Sequence, residues 1–276
     1  MDPIQVFVGT DDYQMIGARV LAHSITSHTN SPVDIHYLND YVAPVPKNPG
    51  LQSKTGFSFT RFMIPEICNY SGRAIYLDAD MLVFSDIAEL WNWQMDDGVS
   101  LLYADQPPER GRRPQYSVFV VDCAKARWDA KKLMRDLDDG KYDYNALVYE
   151  FSHMLDREKA KTLPFRWNAL EYYDKASTSL IHFTDMNRQP WVEPTNTNGK
   201  IFYDAVNAAI DAGAIGIADI KQAIDQGYIH PAFLKWIGRS KSSNPFHDFN
   251  WPAPYFRLLP MHQRLIARFK RLPALL

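Results

Sequence analysis

Two cysteines in 276 residues, Cys68 and Cys123, are too few for a disulfide framework, and their apolar neighbourhoods do not make a zinc site. They read as buried thiols. Charge of one sign is also lacking: the formal balance of −2 gives no global reason to expect a nucleic-acid partner. No apolar run approaches the roughly 18 residues needed to span a bilayer, which argues against a transmembrane helix. The N-terminus passes almost at once into Ile4-Gln-Val-Phe-Val8, without the basic and apolar regions of a secretory leader, so a cytoplasmic protein is expected. Internal repeats and low-complexity tracts are absent too. Apolar residues are plentiful, and 46% hydrophobic content suffices for the core of one large α/β domain or two modest ones.

The chain is organised around Ala74-Ile-Tyr-Leu-Asp-Ala-Asp-Met-Leu-Val-Phe84, an apolar run of the kind that forms a buried strand. Asp78 and Asp80 interrupt it. An unpaired buried carboxylate is costly, so two acids one residue apart point to a strand end where a cation is held. In extended backbone an i, i+2 pair also projects the same way.

Around that run, strand and helix patterns alternate. Ile4 to Val8 reads as a strand, Gly9-Thr-Asp-Asp-Tyr13 as a polar loop, and Met15, Ile16, Val20, Leu21 and Ile25 as one face of a helix. Acids at the carboxyl end of a parallel strand are placed to meet a ligand, although Asp11 or Asp12 serves equally well as a helix cap. Val33 to Leu38 is a second strand, Pro44 to Gly50 a candidate mobile loop, and Phe57 to Ile67 a helix carrying Arg61. Ser85 or Asp86 caps a short helix through Trp91. Val99 to Ala104 and Tyr116 to Val121 are further strands, followed by an amphipathic helix from Ala124 to Leu137. Between those two strands the loop Gln106 to Pro114 carries three arginines, which either hold phosphate or are solvated surface. A further helix runs to about Leu155, Leu163 to Asn168 is irregular, and a brief strand from Ser179 ends near His182, which alone is more often structural. Helices follow over Ile201 to Ala212 and Ile217 to Gln226. This alternation predicts an α/β fold, a mostly parallel Rossmann-like sheet with helices on both sides.

The last stretch, residues 241–276, differs in composition and is expected to be a small C-terminal helical extension to a 1–240 domain. It is rich in aromatics and proline, and Arg257, Arg264, Arg268, Lys270 and Arg271 are interleaved with Leu258, Leu259, Leu265, Ile266, Phe269 and Leu272. A basic segment with an apolar face suits an anionic membrane surface, and equally a helix docked on its own domain.

Taken together, Val6 to Tyr13, Tyr76-Leu-Asp-Ala-Asp-Met-Leu-Val83 with Asp86-Ile-Ala-Glu-Leu-Trp91, Trp167-Asn168, and His182-Phe-Thr with Pro190-Trp191 resemble glycosyltransferase family 8. That family comprises retaining GT-A fold enzymes of the glycogenin and lipopolysaccharide galactosyltransferase type. The likeness runs in order over about two thirds of the chain. It implies that Asp78, Asp80 and His182 hold Mn²⁺, with Mg²⁺ as the alternative, on the diphosphate of a nucleotide sugar, most naturally a UDP-hexose. It places Asp11, Asp12 and Tyr13 at the base and ribose, and Arg61 at the donor. The partners implied are that donor and a saccharide or glycolipid acceptor, with no nucleic acid, in the cytoplasm or peripheral at the inner face of a membrane.

The departures from the family pattern lie on the sugar side. Where the family carries Asn-Ser-Gly, this chain has Gln115-Tyr-Ser-Val118, so the sugar-contacting asparagine is either missing or replaced by Tyr116. The family's Asp-Gln-Asp is reduced to Asp143-Tyr-Asn145, leaving Asp143 as the candidate catalytic carboxylate. Gln189 stands where a lysine precedes Pro-Trp, and the adjacent Arg188 is the candidate replacement for its charge. Retention then leaves two routes: double displacement through Asp143, or same-face attack with the departing phosphate as base, which is preferred for want of a clear carboxylate pair. Two rivals to a transferase are a nucleotide-sugar or glycan binding module without turnover, and a haloacid-dehalogenase-like phosphatase, whose fold also ends a strand in Asp-x-Asp.

Overall fold

The computed structural model describes residues 2–52, 57–104, 106, 107, 109, 111, 116–151 and 160–240. The chain divides into two compact units, Met1–His182 and Phe183–Leu276.

In the first unit β1 (Ile4–Gly9), α1 (Met15–Ser27) and β2 (Val33–Tyr37) follow the expected strand, loop, helix, strand order. A 3₁₀ turn, Thr60–Met63, leads into α2 (Ile64–Ile67), then β3 (Arg73–Asp78), β4 (Met81–Val83) and α3 (Ile87–Trp91). Next come β5 (Leu101–Ala104), β6 (Val118–Asp122), α4 (Cys123–Ala126), α5 (Ala130–Asp138) and α6 (Tyr144–Val148). β7 (Ala160–Leu163), β8 (Ala169–Leu170) and β9 (Leu180–His182) complete it.

The main sheet has the order β2-β1-β3-β6-β5-β7, in which β6 alone runs against the other strands. Its inner strands β1, β3, β6 and β5 are buried on both faces because apolar residues occupy both sets of alternating positions. Val6, Val8, Ile75, Leu77, Val118 and Val120 pack with Ala18, Leu21 and Ile25 of α1. The intervening Phe7, Tyr76, Phe119 and Val121 form the opposite layer with Phe59, Phe62, Trp128 and Phe151. The α/β, mostly parallel arrangement expected from the sequence is the observed one.

Five expectations need correction, one being the helix read to about Leu155, which ends at Val148. The run from Ala74 to Phe84 is two strands, because the chain leaves the main sheet after Asp78 and β4 joins a second sheet, β4-β9-β8. The Ala124 to Leu137 helix is broken: Arg127 adopts a left-handed φ of 43°, and Asp129 restarts the helix by accepting the Lys132 N–H at 2.8 Å. Phe57 to Ile67 is a 3₁₀ turn and one short helical turn, since Pro65 within it removes a backbone donor. The stretch Pro44 to Gly50 is tied down, as the backbone N–H groups of Lys47 and Asn48 donate to the Asp138 carboxylate at 2.8 and 3.0 Å. β7 has too polar a sequence to declare itself, and its pairing with β5 makes it a strand.

In the second unit α7 (Gly199–Asp211), α8 (Ile217–Asp225) and α9 (Phe233–Trp236) confirm the two helices read from periodicity and add a short third. Trp191 packs on Phe202 with ring centroids 4.9 Å apart, and the Arg239 guanidinium donates to Asp211 at 2.6 Å. The basic extension and the loop residues Arg110, Arg112 and Arg113 lie outside the described residues.

Candidate metal centre and donor site

The acid pair stands where the two sheets of the first unit part. Gly9 of β1 lies opposite Asp78 of β3, and the Ala79 N–H donates to the Gly9 carbonyl at 3.0 Å, holding the chain at the carboxyl edge of the sheet for one residue more. β4 then pairs antiparallel with β9 so that Met81 faces His182, which brings the imidazole back to the residue just passed, Asp80. His182 Nε2 is 3.0 Å from Asp80 Oδ1 and 3.9 Å from Asp78 Oδ2. One ligand atom from each of Asp78, Asp80 and His182 lies within 4.8 Å of the others. A sequence separation of about a hundred residues is thus closed by one strand pairing.

The other face of the imidazole is fixed. Nδ1 is 3.0 Å from the Asn168 carboxamide oxygen and 3.3 Å from the Ser117 hydroxyl, while Asn168 Nδ2 donates to that hydroxyl at 3.2 Å. Gln106 holds Asn168 in turn, donating to its carbonyl at 3.0 Å. An Nδ1–H donated to a carboxamide oxygen leaves the Nε2 lone pair directed at the carboxylates, the usual arrangement of a metal-binding histidine.

Electrostatics give the same picture. Burial raises the Asp78 carboxyl from 3.8 to about 6, with Asp80 adding to the rise and His182, Arg61 and the Tyr76 hydroxyl opposing it. Burial would lower the His182 pKa, but the Asp80 and Asp78 carboxylates outweigh it and the net shift is upward. Two carboxylates, Asp80 buried and Asp78 partly so, against one imidazole leave excess negative charge, which a divalent cation would offset. Hard oxygens with one imidazole suit Mn²⁺ or Mg²⁺, so the residues present fit such an ion.

Behind the acids stands a second layer. The Tyr76 hydroxyl donates to Asp78 Oδ1 at 2.5 Å, and a Cβ at Gly9 would fall 2.2 Å from that hydroxyl oxygen, so position 9 admits only glycine without displacing the ring. Arg61, buried as the sequence does not announce, donates to the Ser58 and Tyr116 carbonyls at 3.1 and 3.0 Å and lies over the Tyr76 ring. Its charge therefore reaches Asp78 through the apolar layer.

The remaining candidates are arranged differently. Asp11, Asp12 and Tyr13 form the turn after β1, the strand next to Asp78, and Asp11 Oδ1 accepts the Tyr13 N–H at 3.1 Å. Neither acid caps α1, whose N-cap is Gln14, and Tyr13 is 61% exposed. Asp143 is the exposed N-cap of α6, accepting the Ala146 N–H at 2.8 Å, and among the described residues it is not part of the Asp-Asp-His group. The Tyr116 ring stacks on Phe151 with centroids 4.3 Å apart. Arg188 is exposed in a turn of the second unit, its N–H donating to the Asp185 carbonyl at 2.8 Å, while the neighbouring Gln189 is buried and donates to the Phe183 carbonyl.

Reading the sequence singled out the three residues that the structure brings together but missed the positions of Ser117, Asn168 and Gly9 beside them. A signal existed for two of them: Ser117 is the residue of the family's Asn-Ser-Gly that this chain keeps, and Asn168 stands in the Trp-Asn pair.

Comparison with known proteins bears on this geometry. Residues 45–146 match the model of glycosyl transferase family 8, a segment that contains both acids. The chain is 26% identical over 215 residues to Protein CDI of Arabidopsis thaliana, covering 69% of this chain and 80% of that protein. Among solved structures it is similar to galactosyltransferase LgtC, solved with donor and acceptor sugar analogues, with a TM-score of 0.55, 14% identity, and coverage of 77% of this chain and 100% of that one. The glycosyltransferase GlyE of Streptococcus pneumoniae gives 0.56 at 15% identity, over 77% of this chain and 64% of that one. The bifunctional glycosyltransferase WbbM gives 0.58 at 15% identity over 77% of this chain, which spans only 51% of the WbbM chain. The phosphatase alternative falls with the fold. The chain has the GT-A fold of glycosyltransferases and resembles glycosyltransferase family 8.

Proposed function

We propose that this protein is a metal-dependent, retaining hexosyltransferase that moves a sugar from a nucleoside diphosphate, most naturally UDP, to a saccharide or glycolipid acceptor. The observation that carries the reading is the meeting of Asp78, Asp80 and His182 at the carboxyl edge of the sheet, with the imidazole oriented by Asn168. Asp78, Asp80 and His182 would hold Mn²⁺, which supplies positive charge to the departing diphosphate without proton transfer. Tyr76 and Arg61 steady Asp78 in its carboxylate form. Asp11 and Asp12 are assigned to the ribose hydroxyls, and the exposed Tyr13 ring to stacking on the base. Arg188 is assigned to the diphosphate.

For retention, same-face attack is favoured over a glycosylated Asp143, because the Asp143 carboxylate is occupied as a helix cap. That same observation, with Tyr116 packed on Phe151, is what supports the second reading, a nucleotide-sugar binding module without turnover. Release of UDP from a panel of UDP-sugars with and without Mn²⁺ tests both. Mn²⁺-dependent release is expected; tight donor binding with no release from any donor would favour the module.

The acceptor and the location rest on the C-terminal segment. Among the described residues no helix is long and apolar enough to cross a membrane. Arg257 to Leu272 is proposed to dock on an anionic leaflet from the cytoplasmic side, presenting the enzyme to a lipid-linked acceptor. Flotation with anionic liposomes should fall when residues after Phe256 are removed, and equal flotation would sink the idea.

A further inference from the structure

The two thiols of the chain meet at the amino-terminal edge of the main sheet, away from the acid pair. Cys68 closes α2 and Cys123 opens α4, which packs against α2. The register Arg73 with Asp122 makes the residues just before β3 and just after β6 neighbours, and the Cys123 N–H donates to the Gly72 carbonyl at 3.0 Å. Cys68 packs against the apolar cluster that contains Cys123, and the two thiols shift each other's acidity. Both are free thiols.

Their surroundings are unequal. Cys123 is fully buried, whereas Cys68 is half-buried and lines a cleft of about 320 Å³ with His36, Asn69, Ser71 and Arg73. A small solute entering that cleft reaches Cys68, whereas Cys123 does not line it.

We propose that Cys68 and Cys123 form a redox site at which a hydroperoxide is reduced and an intramolecular disulfide closes, Cys68 reacting first and Cys123 resolving. In the first step the Cys68 thiolate attacks one peroxide oxygen, the O–O bond breaks, and water or an alcohol leaves, giving a sulfenic acid at Cys68. In the second the Cys123 sulfur attacks the Cys68 sulfur, the S–O bond breaks, and the hydroxyl leaves as water with the Cys123 proton. Two thiols and one hydroperoxide become a disulfide, water, and water or alcohol.

The order of attack is consistent with the acidities. The Cys123 thiol holds the Cys68 thiol below its ordinary value, and Cys68 together with burial pushes Cys123 up. The bridge would enclose β3, the acid pair and β6 in one covalent loop while tying the far edge of the sheet. It requires nothing of the transferase reading.

The test uses the full chain, reduced, freed of reductant and exposed to a few equivalents of hydrogen peroxide. Digestion without reductant should yield the Cys68 and Cys123 peptides joined and lighter by two hydrogens than their sum. Thiols titrated in denaturant should fall from two to none and return with phosphine. In Cys123→Ser, dimedone should label Cys68. Retention of both thiols, dimers between chains, or irreversible oxidation of Cys68 with Cys123 still free would overturn the proposal, and so would modification of Cys123 before Cys68 in the wild-type chain.

Discussion

The Asp-Asp-His corner and the other candidate site residues are built on different principles. Asp80 and His182 are buried, and the His182 ring is held by Asn168 and Ser117 while Asp78 is held by Tyr76. Asp12, Tyr13, Asp143, Asn145 and Arg188 are exposed, and the contacts that fix Asp11, Asp143 and Arg188 are those of a turn, a helix cap and a second turn. A site whose ligands are packed into the sheet junction is rigid before anything binds. One displayed on turns leaves sugar and acceptor choice to loops. The difference puts the Asp-Asp-His group at the sheet junction and the other candidate residues at the surface.

The comparison breaks first at Asp80. Asp80→Asn should lower donor turnover by about 10²–10³-fold, the scale of losing one preorganised charge-stabilising group, measured as UDP release under saturating Mn²⁺. The metal-free variant should melt no lower than wild type, because the exchange removes one of two crowded carboxylates. A clear drop in melting temperature with unchanged turnover would make Asp80 structural.

Asn168→Ala sharpens the contrast by leaving all three ligands in place. Metal affinity should fall roughly 10–100-fold, as when a partner that orients a metal-bound histidine is lost, by calorimetric titration with Mn²⁺. Gly9→Ala drives a methyl into the Tyr76 hydroxyl and should cost about 1–3 kcal/mol in denaturant unfolding. Tyr76→Phe should relieve that clash, so the double variant recovers part of the loss.

A fourth test follows from protons. Asp78 is raised from 3.8 to about 6 in the folded chain, so its contribution to stability is full below 3.8 and is lost as pH rises through about 6. His182 is raised above 6.5, so its contribution is full below that value and fades at higher pH. In chelator the melting temperature should therefore decline from acid toward neutral pH on account of these two groups. Saturating Mn²⁺ competes with the same protons, so its stabilising increment should grow over that window. The smallest effect belongs to the exposed side: Asp143→Asn keeps the cap and should change turnover less than about threefold, since Asn and Asp cap equally well. A trapped glycosyl ester on Asp143 would contradict same-face attack.

Much of this was legible in residue patterns. β1, α1, β5, β6, α7 and α8 follow from periodicity because each is long or strongly apolar, and Asp78 with Asp80 could be read as a cation site because acids in an apolar run demand one. The break between β3 and β4 was hidden: apart from Asp78 and Asp80 the run from Tyr76 to Val83 is apolar, and only pairing with β9 shows that Met81 belongs to another sheet. Arg61 looked like a donor contact, yet its guanidinium is buried against the Ser58 and Tyr116 carbonyls, a fate set by residues distant in sequence. The same holds for the two cysteines, whose contact depends on the register of β3 and β6.

The most direct measurement is thermal unfolding across a panel of nucleotide sugars, with and without Mn²⁺, in wild type and His182→Ala. The account predicts that one donor, with Mn²⁺ present, stabilises wild type by several degrees, that chelator removes the effect, and that His182→Ala abolishes it. Equal stabilisation by that donor in chelator, or an undiminished shift in His182→Ala, would contradict the claim that Asp78, Asp80 and His182 bind the donor through a metal.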